Sequence, residues 1–156
     1  MVKSAIDIRC DAPHYELTIP ARIELSGEDE EKALQNLFFA FGKARRMCYS
    51  LRQNELKGEM SKSEIIKRVQ AITGLNSRYV KDAYATIEHL PPHATFGGLK
   101  NQRLREKGKI TREEYKKRRN SIIYARGEKS RKGNLNMRIV EVAGEKYLRV
   151  NIGDRK

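Results

Sequence analysis

The sequence contains no tryptophan, only two cysteines and three histidines, and no long apolar run. A helix that spans a bilayer needs roughly 20 consecutive apolar residues, which the chain does not offer. Its first residues, Met1 to Asp7, have no hydrophobic signal segment. These absences predict a soluble, cytoplasmic protein that has no membrane partner.

The few cysteines and histidines are spread thinly. Cys10 and Cys48 are far apart, and each has apolar neighbours, which favours buried free thiols over a disulfide. His14, His89 and His93 are not paired with cysteine at the spacing of metal ligands. We therefore expect neither a metal nor another cofactor.

Residue sets that carry catalysis are also scarce. Metal-dependent cleavage of a phosphodiester needs two or more carboxylates that converge on divalent cations. The acidic run at 28–31 lies at a predicted helix start, where the helix dipole explains it, and Glu113 and Glu114 belong to a helix cap. No Ser/His/Asp set, Cys/His set or Walker phosphate loop stands out. We therefore expect that the chain is not an enzyme.

Positive charge is abundant, and it is concentrated in one part of the chain. The net charge is +13, from 33 Lys+Arg and 20 Asp+Glu. Residues 93–156 hold 19 of these basic residues and 7 acidic ones, whereas residues 1–92 hold 14 and 13. Like charges at this density repel one another, and a polyanion relieves the repulsion. The distribution indicates a nucleic-acid partner and leaves open which nucleic acid it is.

Hydrophobic periodicity predicts strands at both ends of the chain. Apolar residues alternate with period two in residues 2–10 and 15–25, although Pro20 makes the second run an edge strand or a bend. Residues 135–152 predict a hairpin with a turn at Ala143 and Gly144.

The middle of the chain changes to helical spacing. Capping signals and apolar periodicity predict four helices: 26 to about 57, 61–73 with apolar positions Ile65, Ile66, Val69 and Ile72, 76–90 ended by Pro91-Pro92, and 111 to about 123. Residues 95–100 predict a tight junction that contains two glycines, and residues 125–134 predict a loop.

Two segments compete as the nucleic-acid site. Residues 61–90 could form a helix-turn-helix, with Gly74 in the turn and Ser77, Arg78 and Lys81 early in the second helix, as in a repressor that reads double-stranded DNA. A plain helical hairpin explains the same residues, because the second helix is only weakly basic.

The segment from Lys100 to Arg138 is the stronger candidate. It combines many cations with glycine, which lets backbone amides approach phosphate, and with tyrosine, which can stack on bases or pack in a core. The predicted contacts are Lys100, Arg103, Arg105, Lys107, Tyr115, Lys116, Lys117, Arg118, Arg119, Tyr124, Arg126, Lys129, Arg131, Lys132 and Arg138.

The same segment resembles a known family. The matching motifs are FGGLKN at 96–101, GKITREEY at 108–115, RN at 119–120, YARGEKS at 124–130 and KGNLNMRI at 132–139, with LNSRY at 75–79 upstream. They are similar to the N-terminal region of TnpB-like (OrfB-type) transposon-encoded RNA-guided DNA endonucleases, which are related to type V CRISPR effectors.

The resemblance implies a fold and a role. The expected fold is α+β: a small antiparallel β-barrel of the oligonucleotide-binding type, called the wedge, with an inserted helical bundle. Residues 1–25 would be wedge strands, 26–92 the helical recognition insert, and 93–156 the basic segment and the wedge hairpin. The expected role is to bind guide RNA and the guide–target DNA duplex.

The resemblance does not extend to catalysis. The RuvC-like nuclease domain of the family, with its acidic triad, would lie beyond Lys156. The chain would then be an excised part, a gene remnant or a naturally short product, and a nuclease domain or subunit could act in trans. A third hypothesis, a structural protein whose basic segment screens an acidic partner, also remains open.

Overall fold

Five helices and a two-stranded antiparallel sheet make up the part of the chain that the computed structural model describes, residues 23–127 and 134–152. The helices are α1 (Glu28–Leu56), α2 (Lys62–Thr73), α3 (Ser77–Ala85), α4 (Leu99–Glu106) and α5 (Arg112–Arg119), and the strands are β1 (Met137–Val142) and β2 (Glu145–Val150). The α+β class is confirmed. The described residues form an open hairpin, not a closed barrel. The predicted strand at 2–10 and nearly all of that at 15–25 lie outside these residues.

The core is built where α1, α2 and α3 pack together. Its fully buried side chains include Phe41 of α1, Ile65 and Val69 of α2, and Tyr79 and Val80 of α3. The rings of Phe41 and Tyr79 meet edge-on, with centroids 6.3 Å apart. Such aromatic contacts stabilise a core beyond the area that they bury.

Local signals set most helix ends as predicted. Ser61 and Glu64 form the capping box of α2, Gly74 ends that helix with φ +70°, and the Asn76 side chain accepts from two backbone amides at the start of α3. Of the four apolar positions of α2, Ile65 and Val69 are fully buried, whereas Ile72 is 48% exposed.

The third and fourth predicted helices end earlier than expected. α3 ends at Ala85, because the next residues tighten into i→i+3 bonds such as Ile87 N to Tyr84 O. α5 ends at Arg119, where the buried Asn120 side chain donates to Lys116 O at 2.8 Å. α4 was not predicted, because an eight-residue helix with no buried residue leaves no apolar period.

The hairpin is joined to the helix core through a pair of asparagines. Asn136 is 4% exposed, and its side chain exchanges hydrogen bonds with Asn76, the N-cap of α3. Met137 and Val150, which are opposite each other in the register, pack against the core. The turn at Ala143 and Gly144 has φ +53° and +85°, the left-handed conformation of a type I′ hairpin turn.

No helix in the described segments is both long enough and apolar enough to cross a membrane.

Candidate nucleic-acid interface

The connection between α3 and α4, residues 86–98, is held against α1 by aromatic contacts; we call it the junction. The Phe96 ring meets the Tyr49 ring edge-on, with centroids 5.3 Å apart. The Tyr49 hydroxyl accepts from the backbone N–H of Ala94 at 2.9 Å. The Arg45 guanidinium carbon lies 5.6 Å from the Phe96 ring centroid, within the range of a cation–π contact. α1 therefore fixes both the junction and a cation beside it.

Gly97 lets this junction touch the end of α5. Its φ is +91°, and a Cβ at this position would lie 3.1 Å from the Cα of Arg119. Glycine is thus favoured here twice, by the left-handed backbone and by the close approach. The contact brings Arg119 beside Phe96.

Tyr115 organises the cations of the α4–α5 hairpin from inside. It is 7% exposed, and its hydroxyl donates to Phe96 O at 3.3 Å. The guanidinium carbons of Arg105 and Arg119 lie 5.3 Å and 5.6 Å from its ring centroid. A ring this buried and flanked by two arginines is placed to orient those arginines, and its surface for stacking a base is small.

Arg118 is held within the α4–α5 hairpin by two polar contacts. It forms an ion pair with Glu114 one turn earlier, and its Nη1 donates to Asn101 Oδ1 at 3.1 Å. Asn101 in turn donates to Gly97 O at 2.7 Å. These bonds tie α4 to α5 and to the junction.

A cavity of about 560 Å³ opens where α1, the junction, α4 and α5 meet; we call it the arginine cleft. Its lining residues are Arg46, Ala94, Thr95, Phe96, Gln102, Arg105, Glu106, Tyr115 and Arg119. A smaller cavity of about 380 Å³ shares Ala94, Thr95, Phe96 and Arg119 with it and adds Arg45 and Arg118. Five arginines therefore surround one short segment of backbone.

Acidic groups do not balance this charge. Within the described segments, Glu106 is the one carboxylate that lines the arginine cleft, and it accepts from Gln102 Nε2 at 2.9 Å. Arg46 donates to the amide oxygen of Asn120 at 2.7 Å, and Arg45 donates to the hydroxyl of Thr86 at 2.9 Å. These neutral partners orient the guanidiniums and leave their charge uncompensated.

The electrostatics of Arg46 reflect this crowding. Burial lowers its pKa first, followed by the nearby charges of Arg119 and Arg45, while Tyr115 acts in the opposite direction. Burial likewise lowers the pKa of Arg45. Arginine remains protonated at neutral pH even so, and Arg45, Arg46 and Arg119 therefore keep their positive charges close together.

Arg45 and Arg46 were missed by the sequence reasoning, which assigned 26–92 to the helical insert. They belong to α1, yet they point toward the basic C-terminal segment. The signal was present: two adjacent arginines lie between the buried Ala44 and Cys48 of an amphipathic helix.

The predicted contact residues are placed unevenly. Exposed ones are Lys100, Arg103, Arg105, Lys107, Lys117, Arg118, Tyr124, Arg126 and Arg138, whereas Lys116 and Arg119 are half-buried and Tyr115 is buried. The structure brings Arg105, Arg118 and Arg119 together around the junction. Lys129, Arg131 and Lys132 lie outside the described residues.

Arg138 belongs to a separate basic patch on the β1–β2 hairpin. It is directly opposite Arg149 in the strand register, and both side chains are exposed. Like charges that face each other across a ladder are destabilising. Tyr147, next to them on the same face, is 49% exposed. A bound anion would relieve this pair too.

The possible helix-turn-helix has little free surface on its second helix. Five residues of α3 are buried, including Tyr79, Asp82 and Tyr84, and only Ser77 and Lys81 are exposed. The backbone N–H of Arg126 donates to Asp82 at 3.4 Å, so the segment after α5 covers part of α3. A recognition helix needs an exposed face for the major groove.

Across residues 23–127 and 134–152, no three histidine, cysteine or acidic side chains form a group that could hold a metal ion. Cys48 is a buried free thiol, as predicted, and burial raises its pKa to about 12. Cys10 lies outside the described residues.

Comparison with known proteins shows the family of the chain. No curated protein matches it, and no solved structure does. One family model matches residues 16–156, which is most of the sequence, and it includes the arginine cleft and both basic regions. The chain belongs to the family described as the SSO2105 N-terminal domain.

Proposed function

We propose that this chain is a nucleic-acid-binding module that binds guide RNA and the guide–target DNA duplex, as the N-terminal part of a TnpB-like RNA-guided nuclease. The observation that carries the proposal is the convergence of Arg45, Arg46, Arg105, Arg118 and Arg119 on the junction. In the described part of the chain, Arg118 alone among them has a carboxylate partner. Arginines held in place without neutralisation suit phosphate, which they can bind through two parallel hydrogen bonds.

The arrangement favours a flexible guide strand as the ligand of the cleft over a helix inserted into the groove of a DNA duplex. The cations lie around a cleft, not along one exposed helix face, and a single strand can bend to follow a cleft. The helix-turn-helix alternative would need α3 to enter a groove, although most of its surface is buried. The family description as an N-terminal domain is compatible with a module that precedes others.

Catalysis would come from elsewhere in such a nuclease. We assign no catalytic residue to this chain, and cleavage would belong to a RuvC-like domain or to a nuclease subunit supplied in trans. The role of this module would be to hold the guide.

The proposal includes a finer fold, in which residues 1–25 supply strands that complete a small barrel with β1 and β2. Its support is the apolar surface that the hairpin leaves open: Ile139 is 73% exposed and Leu148, its partner in the register, is 41% exposed. A two-stranded sheet is marginal by itself and gains stability from further strands.

Charge-neutralising variants test the function. Four exposed cations of the α4–α5 hairpin, Lys100, Arg103, Lys107 and Lys117, are replaced by glutamine together. Four exposed cations of the helix core, Lys32, Lys57, Lys67 and Arg68, form the matched control with the same change of charge. Binding to a structured RNA is measured at fixed salt. We expect a loss of about tenfold or more for the hairpin set and a much smaller loss for the control.

An equal loss in both variants would contradict a localised interface. A duplex DNA that displaces the RNA at equal concentration would favour the helix-turn-helix alternative. No binding to either nucleic acid would reject the proposal and favour an acidic protein partner.

A further inference from the structure

The arginine cleft has features that an ordinary solvated basic surface lacks. Arg46 comes from α1, Arg105 from α4 and Arg119 from the end of α5, so three separate elements bring cations to one cavity. Tyr115 fixes two of them by its ring, and Asn120 fixes the third through its amide oxygen. Charges that are pre-positioned in this way lose little freedom when an anion arrives.

Arg119 lines this cavity and also carries a donor that has no partner in the part of the chain that the structure describes. Its Nε is buried and has no hydrogen-bond partner among the described residues. A buried donor without a partner costs free energy, and a small rotation of the Arg119 side chain would let an acceptor in the cleft remove that cost. The position of Arg119 is well defined, because its guanidinium lies over the ring of Tyr115 and its backbone lies close to Gly97.

The cleft also offers groups beyond its charges. Thr95 contributes a hydroxyl, Gln102 an amide, and Phe96 an apolar wall. A volume of about 560 Å³ leaves room for more than a phosphate alone. Burial and then the nearby charges of Arg119 and Arg45 lower the pKa of Arg46, and an anion bound in the cleft would offset the repulsion among these charges.

We propose that the arginine cleft is a pocket for one phosphate group of the bound nucleic acid, with its nucleotide in the remaining space. The inference rests on the proposed function for the identity of its ligand. It adds a defined phosphate subsite to a general basic surface. The phosphate could be an internal diester or a terminal monoester, since the same arginines would recognise either.

Pyrophosphate is the simplest probe of the cleft. Thermal unfolding of the full chain is followed as pyrophosphate replaces chloride at constant ionic strength. We expect a saturable rise in the melting temperature, because a ligand that binds only the folded state stabilises it. No rise beyond that given by chloride would overturn the proposal.

Thr95→Glu places a carboxylate in the cleft. Thr95 is exposed, so the longer side chain can be accommodated, and its charge would compete with phosphate for the arginines. The free variant should unfold at the same or a higher temperature than the parent, while its response to pyrophosphate is lost. Arg46→Gln, which keeps a donor for Asn120, should lose the response without gaining stability.

Asn36→Glu is the matched control. Asn36 is exposed on α1, ten residues before Arg46, which is roughly 15 Å along a helix and beyond the screening length of about 8 Å at physiological salt. This variant should keep the pyrophosphate response. An unchanged response in Thr95→Glu and Arg46→Gln would overturn the cleft as the site.

RNA separates the cleft from the proposed function. We expect Thr95→Glu to lower the affinity for RNA about tenfold and Asn36→Glu to leave it unchanged. Suppose that Thr95→Glu binds RNA as tightly as the wild type, while the variant with four α4–α5 cations replaced loses binding. This result would reject the cleft as a phosphate site without contradicting the proposed function. Pyrophosphate binding without any RNA binding would reject the function and with it the nucleotide ligand.

The ends of the RNA identify the source of the phosphate. Oligonucleotides with a 5′ phosphate, a 3′ phosphate or only hydroxyl ends are compared. A preference for one phosphorylated end that disappears in Thr95→Glu supports a terminal monoester. Equal affinities, all lowered by Thr95→Glu, support an internal diester.

Discussion

Gly42 of α1 lies directly against Asn120 at the end of α5, so close that a Cβ built on Gly42 would be 2.1 Å from Asn120 Oδ1. The same oxygen accepts the hydrogen bond from Arg46 at 2.7 Å. Asn120 is 4% exposed and also ends α5 through its bond to Lys116 O. This contact therefore joins the basic hairpin to the helix core and sets the orientation of a cleft arginine.

Gly42→Ala should destabilise the protein despite the better helix propensity of alanine. The gain in propensity is about 1 kcal/mol, but the added methyl forces Asn120 to move and disturbs its bond to Arg46. We expect a net loss of about 1–3 kcal/mol in the free energy of unfolding, measured by urea denaturation. RNA affinity should fall as well.

The double variant Gly42→Ala with Asn120→Gly tests whether the contact with Asn120 causes this loss of stability. The three atoms nearest to a Cβ at position 42 belong to the Asn120 side chain, and glycine at position 120 removes them. In that background Gly42→Ala should be neutral or stabilising. A loss as large as in the wild-type background would show that the contact is not the reason.

Alkaline pH should lower the free energy of unfolding, because two buried tyrosines of the core lose their protons. Burial raises the pKa of Tyr79 to about 12, and burial with the hydrogen bond to Glu55 raises that of Tyr84. A folded pKa above the unfolded one means that the folded state keeps its proton longer. The Tyr79 contribution is therefore complete below pH 10 and is lost as the pH rises toward 12.

Tyr79→Phe isolates this contribution. The variant should be less stable at neutral pH, but its free energy of unfolding should fall less steeply between pH 10 and 12, by up to about 1.4 kcal/mol per pH unit. Urea denaturation at a series of pH values provides the measurement. Parallel curves for the two proteins would contradict the assignment.

Cys48 should resist thiol reagents while the protein is folded. It is fully buried, and its pKa of about 12 keeps the reactive thiolate scarce near pH 8. In a Cys10→Ser background, reaction with a disulfide reagent should be slow in buffer and fast in urea. Equal rates in the two conditions would show that the core around α1 opens readily.

Removal of residues 1–22 tests the proposed barrel. If this segment covers the hairpin, its loss should increase amide hydrogen exchange in β1 and β2 and leave the amides of α1–α3 protected. Ile139→Lys should destabilise the full chain and have little effect on the truncated one. Unchanged exchange in the hairpin after truncation would contradict the barrel.

The sequence predicted those elements whose signals are local. Ser61 with Glu64, Gly74, Asn76 and the Ala143-Gly144 turn each determine a boundary through bonds or dihedral angles within a few residues, and all lie where expected. Apolar spacing predicted the helix α1 for the same reason.

Features that depend on distant contacts were not predicted. α5 ends at Arg119 because Asn120 is buried against α1, a contact between residues 78 positions apart that no local pattern contains. α4 is held by Asn101 and Arg118 instead of by an apolar stripe. Arg45 and Arg46 join the site only because α1 packs beside the junction. The basic segment could be predicted, but its pocket could not.

The most direct test of the account is the salt dependence of RNA affinity. If the arginines and lysines around the junction neutralise about six phosphates of a single strand, log affinity should fall with log salt concentration at a slope of roughly −4 to −5. The variant in which four cations of the α4–α5 hairpin are replaced by glutamine should show a shallower slope. The control variant, in which four exposed cations of α1 and α2 and their connection are replaced, should keep the wild-type slope. A slope near zero for the wild-type protein would contradict the central claim that this surface binds a polyanion.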